Sequence, residues 1–366
     1  MERKHNFYAG PAVLPVEVLE EVQKDLVNYQ GCGVSVMEMS HRSKDFQAII
    51  DDGMATLKKL MGIGDNFEVL FLQGGASTQF LMVPMNLCAD GKVANYIDTG
   101  AWATKAIKEA EKAGKKVHIA ATSKDKDFTY IPKEFKLSEN PAYLHITTNN
   151  TIRGSEYHHI PEVPADVPLI ADMSSNFLSK PMDFNKFSLI YAGAQKNIGP
   201  AGCTVVIIRK DLIEKLNTGT SCAAGLPTML SYKTHLDKGS LFNTPPSFTI
   251  YVISRVLAWI ERNGGLEGIK KINEEKGAEL YGVFDSSDFY NGTVVKEDRS
   301  LMNVPFRLAN TDLEPKFIEE ATSKGMLGLK GHRSVGGVRA SIYNACPLAS
   351  VKALCDFMKE FEKNNK

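Results

Sequence analysis

Short, continuously apolar runs alternate with longer amphipathic stretches over the first two-thirds of the chain, and this alternation constrains the fold most. The apolar runs predict seven strands, at 67–72, 93–97, 116–120, 142–146, 169–171, 189–191 and 204–208. The amphipathic stretches predict helices that include 15–27, 45–61, 78–88 and 101–113. Strands without polar alternation are typical of a parallel sheet that helices cover on both faces. We therefore expect a doubly wound α/β domain that binds ligands at the carboxyl ends of its strands.

The regular alternation ends after the last of these strands. Residues 211–246 are rich in Thr, Ser and Gly, which predicts a long irregular segment that is functional or crosses to a partner. A strongly apolar helix is expected at 247–262. Beyond it the pattern predicts a smaller α+β domain, with helices near 266–284, 313–323 and 350–362 and strands near 294–296, 303–307 and 337–342.

Composition excludes several classes of function. Lys plus Arg and Asp plus Glu number 43 each, so nothing indicates electrostatic attraction to nucleic acid or to an anionic membrane. No apolar stretch approaches the roughly 20 residues of a membrane span, and the polar N-terminus does not resemble a signal peptide. The six cysteines lack the spacing of metal ligands, which indicates buried or incidental thiols in a reducing compartment and no metal. We expect a cytoplasmic enzyme.

One lysine stands out at the end of a predicted strand. Lys196 follows the apolar run before Gly193 and precedes a Gly/Pro-rich turn, and Asp172 ends another apolar run 24 residues earlier. A lysine that forms a Schiff base and an aspartate that pairs with a pyridinium nitrogen are what pyridoxal phosphate requires of a protein. A buried carboxylate is also unfavourable without a cation. A surface lysine after a strand is the alternative, which the flanking small residues disfavour.

Three further segments fit the same site. The Gly-Gly turn of residues 72–78 lies between a strand and a helix, where backbone N–H groups bind phosphate, although an ordinary tight turn is about as probable. Trp102 begins a helix and is placed to stack on a flat ring, or to anchor the core. A hydroxyl in 148–151 is a candidate donor to the cofactor's phenolic oxygen, or part of a simple turn.

Cationic residues cluster at two places. His41 and Arg42 are adjacent near the N-terminus, and His332 and Arg333 precede Arg339 by a few residues. Arginine binds carboxylate or phosphate through two parallel hydrogen bonds, and histidine adds another donor. Any one cluster alone is explained by exposed surface charge. Together they exceed what one carboxylate needs, which favours a doubly charged substrate such as a phosphorylated amino acid.

Several long segments resemble one known family over essentially the whole chain. Residues 193–202 are similar to the lysine motif of the class V aminotransferases, and residues 6–12, 39–43, 71–77, 243–246 and 331–341 are similar to its phosphoserine-specific branch. The departures are small. Ala9 stands where some relatives have serine, and Ser77 replaces a basic residue of one bacterial branch.

The resemblance implies a fold-type I, pyridoxal 5′-phosphate-dependent transferase. Its large domain, residues 16–262, would contain a mixed, mostly parallel seven-stranded sheet, and its smaller α+β domain would combine residues 1–15 and 263–366. The implied reaction is reversible transamination between phosphoserine and 2-oxoglutarate, giving phosphohydroxypyruvate and glutamate, in serine biosynthesis. A four-carbon phosphorylated analogue, as in vitamin B6 synthesis, is left open. The enzyme would be a homodimer with active sites at the subunit interface.

The resemblance also implies a role for each matched residue. Lys196 would carry the cofactor and transfer protons, Asp172 would pair with the pyridine nitrogen, and Trp102 would stack on the ring. Thr151 would reach the phenolic oxygen. The cofactor phosphate would be bound by Ala76, Ser77 and Gln195, together with Asn243 and Thr244 of the partner subunit. Arg339 would bind the substrate α-carboxylate. The distal phosphate or carboxylate would be bound by His332 and Arg333, together with His41 and Arg42 of the partner subunit.

Two other functions stay open. A cysteine desulfurase or an alanine–glyoxylate-type aminotransferase belongs to the same family, but desulfurases usually have histidine where this chain has Gln195. A desulfurase also needs a reactive cysteine on a loop, for which Cys222 is a candidate. A non-catalytic cofactor-binding protein is disfavoured, because every expected catalytic group is present.

Overall fold

The computed structural model describes residues 3–217 and 225–366. Within those ranges the strands are β1 (His5–Asn6), β2 (Phe67–Leu72), β3 (Val93–Asp98), β4 (Val117–Thr122), β5 (Pro141–Thr147), β6 (Leu169–Asp172), β7 (Leu189–Gly193), β8 (Thr204–Arg209), β9 (Tyr290–Gly292), β10 (Asn303–Leu308), β11 (Met326–Leu327) and β12 (Val338–Ser341). The α-helices are α1 (Val16–Asp25), α2 (Lys44–Met61), α3 (Gly75–Leu87), α4 (Ala101–Lys112), α5 (Lys210–Asn217), α6 (Tyr232–Leu236), α7 (Ser247–Arg262), α8 (Gly265–Asp285), α9 (Glu314–Ser323) and α10 (Leu348–Asn365).

Seven strands form the large sheet, in the order β2-β8-β7-β6-β5-β3-β4. The strands β3 to β7 are parallel to their neighbours within that group, and β8 runs antiparallel to both β7 and β2. The sheet is therefore mixed and mostly parallel, as the sequence predicts. Its carboxyl-terminal edge gathers the loops that follow β3, β5, β6 and β7, and this edge positions the site.

Both faces of the large sheet are covered, which explains why its strands are continuously apolar. Along β5, Leu144 and Ile146 pack into the core beneath α2 and α7, whereas Tyr143 packs into the core beneath α3 and α4. Each of the seven predicted strands is confirmed to within two residues at either end. The helix predicted at 247–262 matches α7.

Two predictions for the later chain are wrong. The strand expected at 294–296 is absent from the described residues, and β9 precedes it at Tyr290–Gly292. The prediction rested on two adjacent valines. Val294 is buried, but Val295 is exposed, and its N–H donates to Thr129 O instead of to a neighbouring strand. Residues 211–246 are also not wholly irregular, because α5 and α6 lie there; Leu212 and Leu216 give α5 a buried face.

The rest of the chain forms a second layer around its own core. The sheet β12-β10-β9 is antiparallel, and β1 pairs in parallel with β11. Its aromatic core joins Phe306 and Phe317, and the N-terminal residues Phe7 and Val13 pack into it. No helix in the described part of the chain is long and apolar enough to cross a membrane.

Candidate active site

A cavity of about 170 Å³ lies at the carboxyl-terminal edge of the large sheet. Its walls come from the loops and helix starts that follow β2, β3, β5, β6 and β7. The residues that line it are Gly75, Ala76, Ser77, Trp102, Thr147, Asn149, Thr151, Asp172, Ser174, Ser175, Gln195 and Lys196. The structure therefore brings together Lys196, Asp172, Trp102, Thr151, Ala76, Ser77 and Gln195, which the sequence placed in one site.

Lys196 reaches into this cavity from the turn after β7. Its Nζ donates a hydrogen bond of 2.7 Å to Thr151 Oγ1 and lies 5.7 Å from the centroid of the Trp102 ring. The N-terminal segment covers its stem, since a Cβ built at Gly10 would lie 3.7 Å from Lys196 Cγ. The amine is thus held between a hydroxyl and an indole face, at the mouth of the strand.

Burial lowers the pKa of Lys196, the charge of Asp172 partly opposes this and Arg339 adds to it, and the net pKa is about 8. An amine with this pKa is partly neutral at physiological pH, whereas an ordinary lysine is almost wholly protonated. A neutral amine is nucleophilic, so this lysine is suited to form a bond with a carbonyl carbon.

Asp172 ends β6 and is 4% exposed. The Ser174 N–H donates to its Oδ1 at 2.9 Å. Burial raises the pKa of Asp172, and the hydrogen bonds from Ser174 and the charge of Lys196 only partly offset that effect. The carboxylate has no ion-pair partner within 4.0 Å in the described chain. A cationic nitrogen in the cavity would stabilise it.

The start of α3 forms a candidate phosphate cradle. Gly74 caps the helix with φ 94°, a left-handed conformation, and Thr78 Oγ1 donates to Gly74 O at 3.0 Å. A side chain at position 74 would collide with Thr78. The first turn contains Ala76 and Ser77, whose backbone N–H groups have no intrahelical acceptor and are therefore suited to bind an anion.

Three residues that line the cavity each carry a buried polar atom that lacks a partner in the described chain. These atoms are Trp102 Nε1, Thr147 Oγ1 and Asn149 Oδ1, with Arg339 Nε beside them. Buried polar groups are normally satisfied, so their clustering here indicates a polar ligand. A flat ring with a cationic nitrogen, a phenolic oxygen and a phosphate suits this set: an indole face, a carboxylate, a hydroxyl and a helix N-terminus. The residues present therefore fit pyridoxal phosphate.

Arg339 of the C-terminal layer adjoins the cavity, and His332 and Arg333 lie near Arg339. Arg339, on β12, donates from Nη1 to Thr151 O at 3.0 Å, which places its guanidinium next to Lys196. His332 is held by a hydrogen bond of 2.7 Å between its Nδ1 and Ser334 Oγ. Burial lowers the pKa of His332, and Arg339, Arg333 and Lys105 lower it further, so these charges surround one region.

Seven predicted site residues do not line the cavity of their own chain: His332, Arg333 and Arg339 of the C-terminal layer, and four residues from two other segments. His41 and Arg42 lie before α2, where Arg42 Nε is 3.4 Å from His41 Nε2. Asn243 and Thr244 lie in an exposed turn, and Gln73 Nε2 donates to Thr244 O at 3.1 Å. Cys222, the candidate of the desulfurase alternative, lies outside the described residues.

The sequence missed other residues of the site. Thr147, Asn149, Ser174 and Ser175 line the cavity, although no motif marked them individually. Asn149 Nδ2 donates to Ser175 Oγ at 2.8 Å and to Asn303 Oδ1 at 2.9 Å, and its own oxygen has no partner in the described chain. In the sequence, these residues were marked only by their position at or just after the ends of β5 and β6.

The chain matches a known family along nearly its whole length. A family model described as aminotransferase class-V matches residues 4–354. The chain is 58% identical over 365 residues to a phosphoserine aminotransferase of Desulfosudis oleivorans, with 100% of this chain and 99% of that protein covered.

Solved structures are also similar. The phosphoserine aminotransferase from Bacillus circulans subsp. alkalophilus is 50% identical, with a TM-score of 0.96 and full coverage of both chains. A PLP-bound phosphoserine aminotransferase from Trichomonas vaginalis is 38% identical, with a TM-score of 0.90, covering 98% of this chain and 100% of that one.

Proposed function

The chain belongs to the class V aminotransferase family, and on that premise we propose which reaction it catalyses and how its residues do so. The reaction is reversible, pyridoxal phosphate-dependent transamination between phosphoserine and 2-oxoglutarate on one side and phosphohydroxypyruvate and glutamate on the other. Relatives named phosphoserine aminotransferase, at 58% and 50% identity over the whole chain, support this reaction. It is a step of serine biosynthesis.

The observation that carries this proposal is the arrangement around Lys196 Nζ, between the Trp102 ring and Thr151 Oγ1 with the buried Asp172 nearby. When bound, pyridoxal phosphate would delocalise the electron pair that stays on the substrate's Cα after its proton is removed. Asp172 holds a positive charge at the ring nitrogen, and Thr151 donates to the phenolic oxygen. Ala76, Ser77 and Gln195 bind the phosphate.

Lys196 is the general base and acid of the reaction. Its amine would accept the Cα proton of the amino acid and later release it, and its pKa of about 8 suits both roles near neutral pH. Arg339 binds the α-carboxylate, because its guanidinium stands beside Thr151 and has an unpartnered Nε. This places the Cα–H bond within reach of the lysine.

The distal phosphate or carboxylate binds among His332, Arg333 and two residues of a second chain. We infer a homodimer in which Asn243 and Thr244 of the partner subunit complete the cofactor phosphate site. His41 and Arg42 of the partner subunit complete the substrate site.

Exposed apolar side chains next to both segments support the dimer. Val34 and Met37 precede His41, and Phe242 precedes Asn243; their exposed fractions are 43%, 56% and 42%. Large exposed apolar side chains beside cationic residues are typical of protein–protein contacts.

The same premise extends to the domains. We infer a large domain of residues 16–262 and a small domain of 1–15 and 263–366, supported by the packing of Phe7 and Val13 into the C-terminal core. A cytoplasmic location stays a prediction.

The decisive experiment supplies purified enzyme with pyridoxal phosphate, phosphoserine and 2-oxoglutarate and measures glutamate. We expect turnover in the wild type and none in Lys196→Ala or Lys196→Arg, together with loss of the visible absorbance of covalently held cofactor. An active Lys196→Ala variant would refute the assignment, and sulfide release from cysteine would favour the desulfurase alternative. The four-carbon phosphorylated analogue, run in parallel, tests the wider substrate range, which stays a prediction.

A further inference from the structure

One cation beside the site has no role in the function proposed above. Lys105 lies on α4, one turn after Trp102, and its side chain is exposed. Its Nζ is 4.2 Å from the centroid of the Trp102 ring. No carboxylate of the described chain lies within 4.0 Å of that nitrogen. Lys112 of the same helix differs, since it pairs with Glu109 at 2.7 Å.

The position of Lys105 relates it to the reacting atoms. Lys196 Nζ lies 5.7 Å from the same indole centroid, so the two amines are within about 10 Å of each other, close to the Debye length at physiological salt. A distal phosphate stands three bonds of about 1.5 Å each from the Cα that Lys196 deprotonates. A flexible lysine side chain spans the remaining gap.

Two neighbours indicate that Lys105 faces the substrate side of the site. Burial lowers the pKa of His332 most, and the charges of Arg339, Arg333 and Lys105 lower it further, so Lys105 lies near His332. It also borders a depression of about 560 Å³ that includes Ser77 and Thr78, and Ser77 lines the cofactor cavity as well. Lys105 thus stands between the start of α3 and the cationic group of the C-terminal layer.

We propose that Lys105 is a specificity-determining residue whose ammonium group binds the distal phosphate of the substrate. This inference rests on the proposed transamination of phosphoserine. The site must accept a dianionic phosphate in one half-reaction and a monoanionic carboxylate, that of glutamate, in the other. A mobile, unpaired ammonium group adjusts to this difference: it contacts the larger dianion and remains on the Trp102 ring when the carboxylate is bound.

The test compares Lys105→Gln and Lys105→Arg with Lys108→Gln. Lys108 is the matched control, because it is exposed, lies on the same helix and borders the same depression. We expect Lys105→Gln to raise KM for phosphoserine about tenfold and KM for glutamate less than about threefold, with kcat unchanged, as for a lost hydrogen bond to a charged group. Lys105→Arg should restore most of the phosphoserine KM, and Lys108→Gln should resemble the wild type.

An equilibrium measurement separates binding from turnover. Inorganic phosphate serves as the probe, as a competitive inhibitor of phosphoserine and, by titration calorimetry, as a ligand of the loaded enzyme. Lys105→Gln should weaken its binding about tenfold and flatten the dependence of binding on salt. Equal losses for phosphoserine and glutamate, or equal effects of Lys105→Gln and Lys108→Gln, would overturn the inference. Absence of phosphoserine turnover in the wild type would instead refute the proposed function.

Discussion

Replacing Asp172 by asparagine should stabilise the protein without its cofactor and destabilise the loaded protein. The carboxylate is 4% exposed and has hydrogen bonds from Ser174 but no ion-pair partner within 4.0 Å in the described residues. Burial raises its pKa, so the unfolded chain ionises more readily than the folded one. Asp172 therefore opposes folding at neutral pH, and this opposition disappears as pH falls below the unfolded value near 4.

The size of the effect follows from the surroundings. A buried, uncompensated charge destabilises a fold by about 3–5 kcal/mol, and hydrogen bonds to a charged group return about 1.5–3 kcal/mol, which leaves about 2 kcal/mol. Asparagine keeps the acceptor for the Ser174 N–H. For a chain of 366 residues the unfolding entropy is large, so this change raises Tm by roughly 2–3 °C without cofactor. With cofactor the variant loses its charge pairing, which weakens cofactor binding by a factor on the order of 100 or more.

Differential scanning fluorimetry at pH 7.5, with and without pyridoxal phosphate, measures both effects. Asp98→Asn is the matched control, since Asp98 is also buried at the end of a parallel strand and burial raises its pKa, but it accepts from Thr104 and Gly100 instead of facing the cavity. It should leave cofactor affinity unchanged. A lower Tm for cofactor-free Asp172→Asn would show that the carboxylate supports the fold itself, and the reasoning would fail.

Two further predictions concern the assembly and the fold. Inactive Lys196→Ala and Arg42→Ala subunits, mixed under conditions that let subunits exchange, should regain about a quarter of the wild-type activity. Half of the dimers are then mixed, and each mixed dimer has one intact site of two. If no activity returns, Arg42 acts in the site of its own chain. Glu156→Gln should lower Tm at pH 7 by roughly 4–6 °C, because it breaks the buried pair of Glu156 with Lys180, whose atoms are 2.7 Å apart. Burial raises the pKa of Glu156, but Lys180 and His158 lower it more, so the pKa in the folded protein lies below the unfolded value near 4.5. The pair therefore stabilises the fold above the unfolded pKa, and this stabilisation is lost as pH falls through the folded pKa. An equal Tm difference between variant and wild type at pH 7 and in acid would contradict this explanation.

Much of the fold could be predicted from the sequence, because a parallel sheet covered on both faces leaves continuous apolar runs that few other structures produce. This pattern was clearest in the runs that form β5 to β7. Where an element is short and half exposed, the signal fails: α5 has only Leu212 and Leu216 to mark its buried face, and Val294 and Val295 resemble a strand without pairing as one.

Site residues at strand ends could be predicted from the sequence, whereas those whose position depends on the path of a turn could not. Asp172 is the last residue of β6 and Lys196 is the first charged residue after β7, so their positions alone were enough to predict them. The hydroxyl near the cofactor was harder to assign within 148–151. Thr148 Oγ1 donates inside the core, to Asn176 Oδ1 at 2.6 Å, whereas Thr151 Oγ1 accepts from Lys196. Only the path of the turn through Asn150, whose Nδ2 donates to Thr99 O, decides between them.

The spacing between Asp172 and Lys196 links the topology to the function. β6 and β7 are neighbours in the sheet, about 5 Å apart, yet Asp172 ends its strand whereas Lys196 lies three residues beyond the end of β7. The described chain shows no ion pair between the two, although each charge influences the pKa of the other. A direct pair would stabilise the fold but would fix the amine in its protonated form and leave no room for a ring. Because the two charges stay apart, Asp172 remains a buried carboxylate that opposes folding and Lys196 remains partly neutral. We expect a cationic ring bound between them to stabilise the carboxylate and to react with the neutral amine.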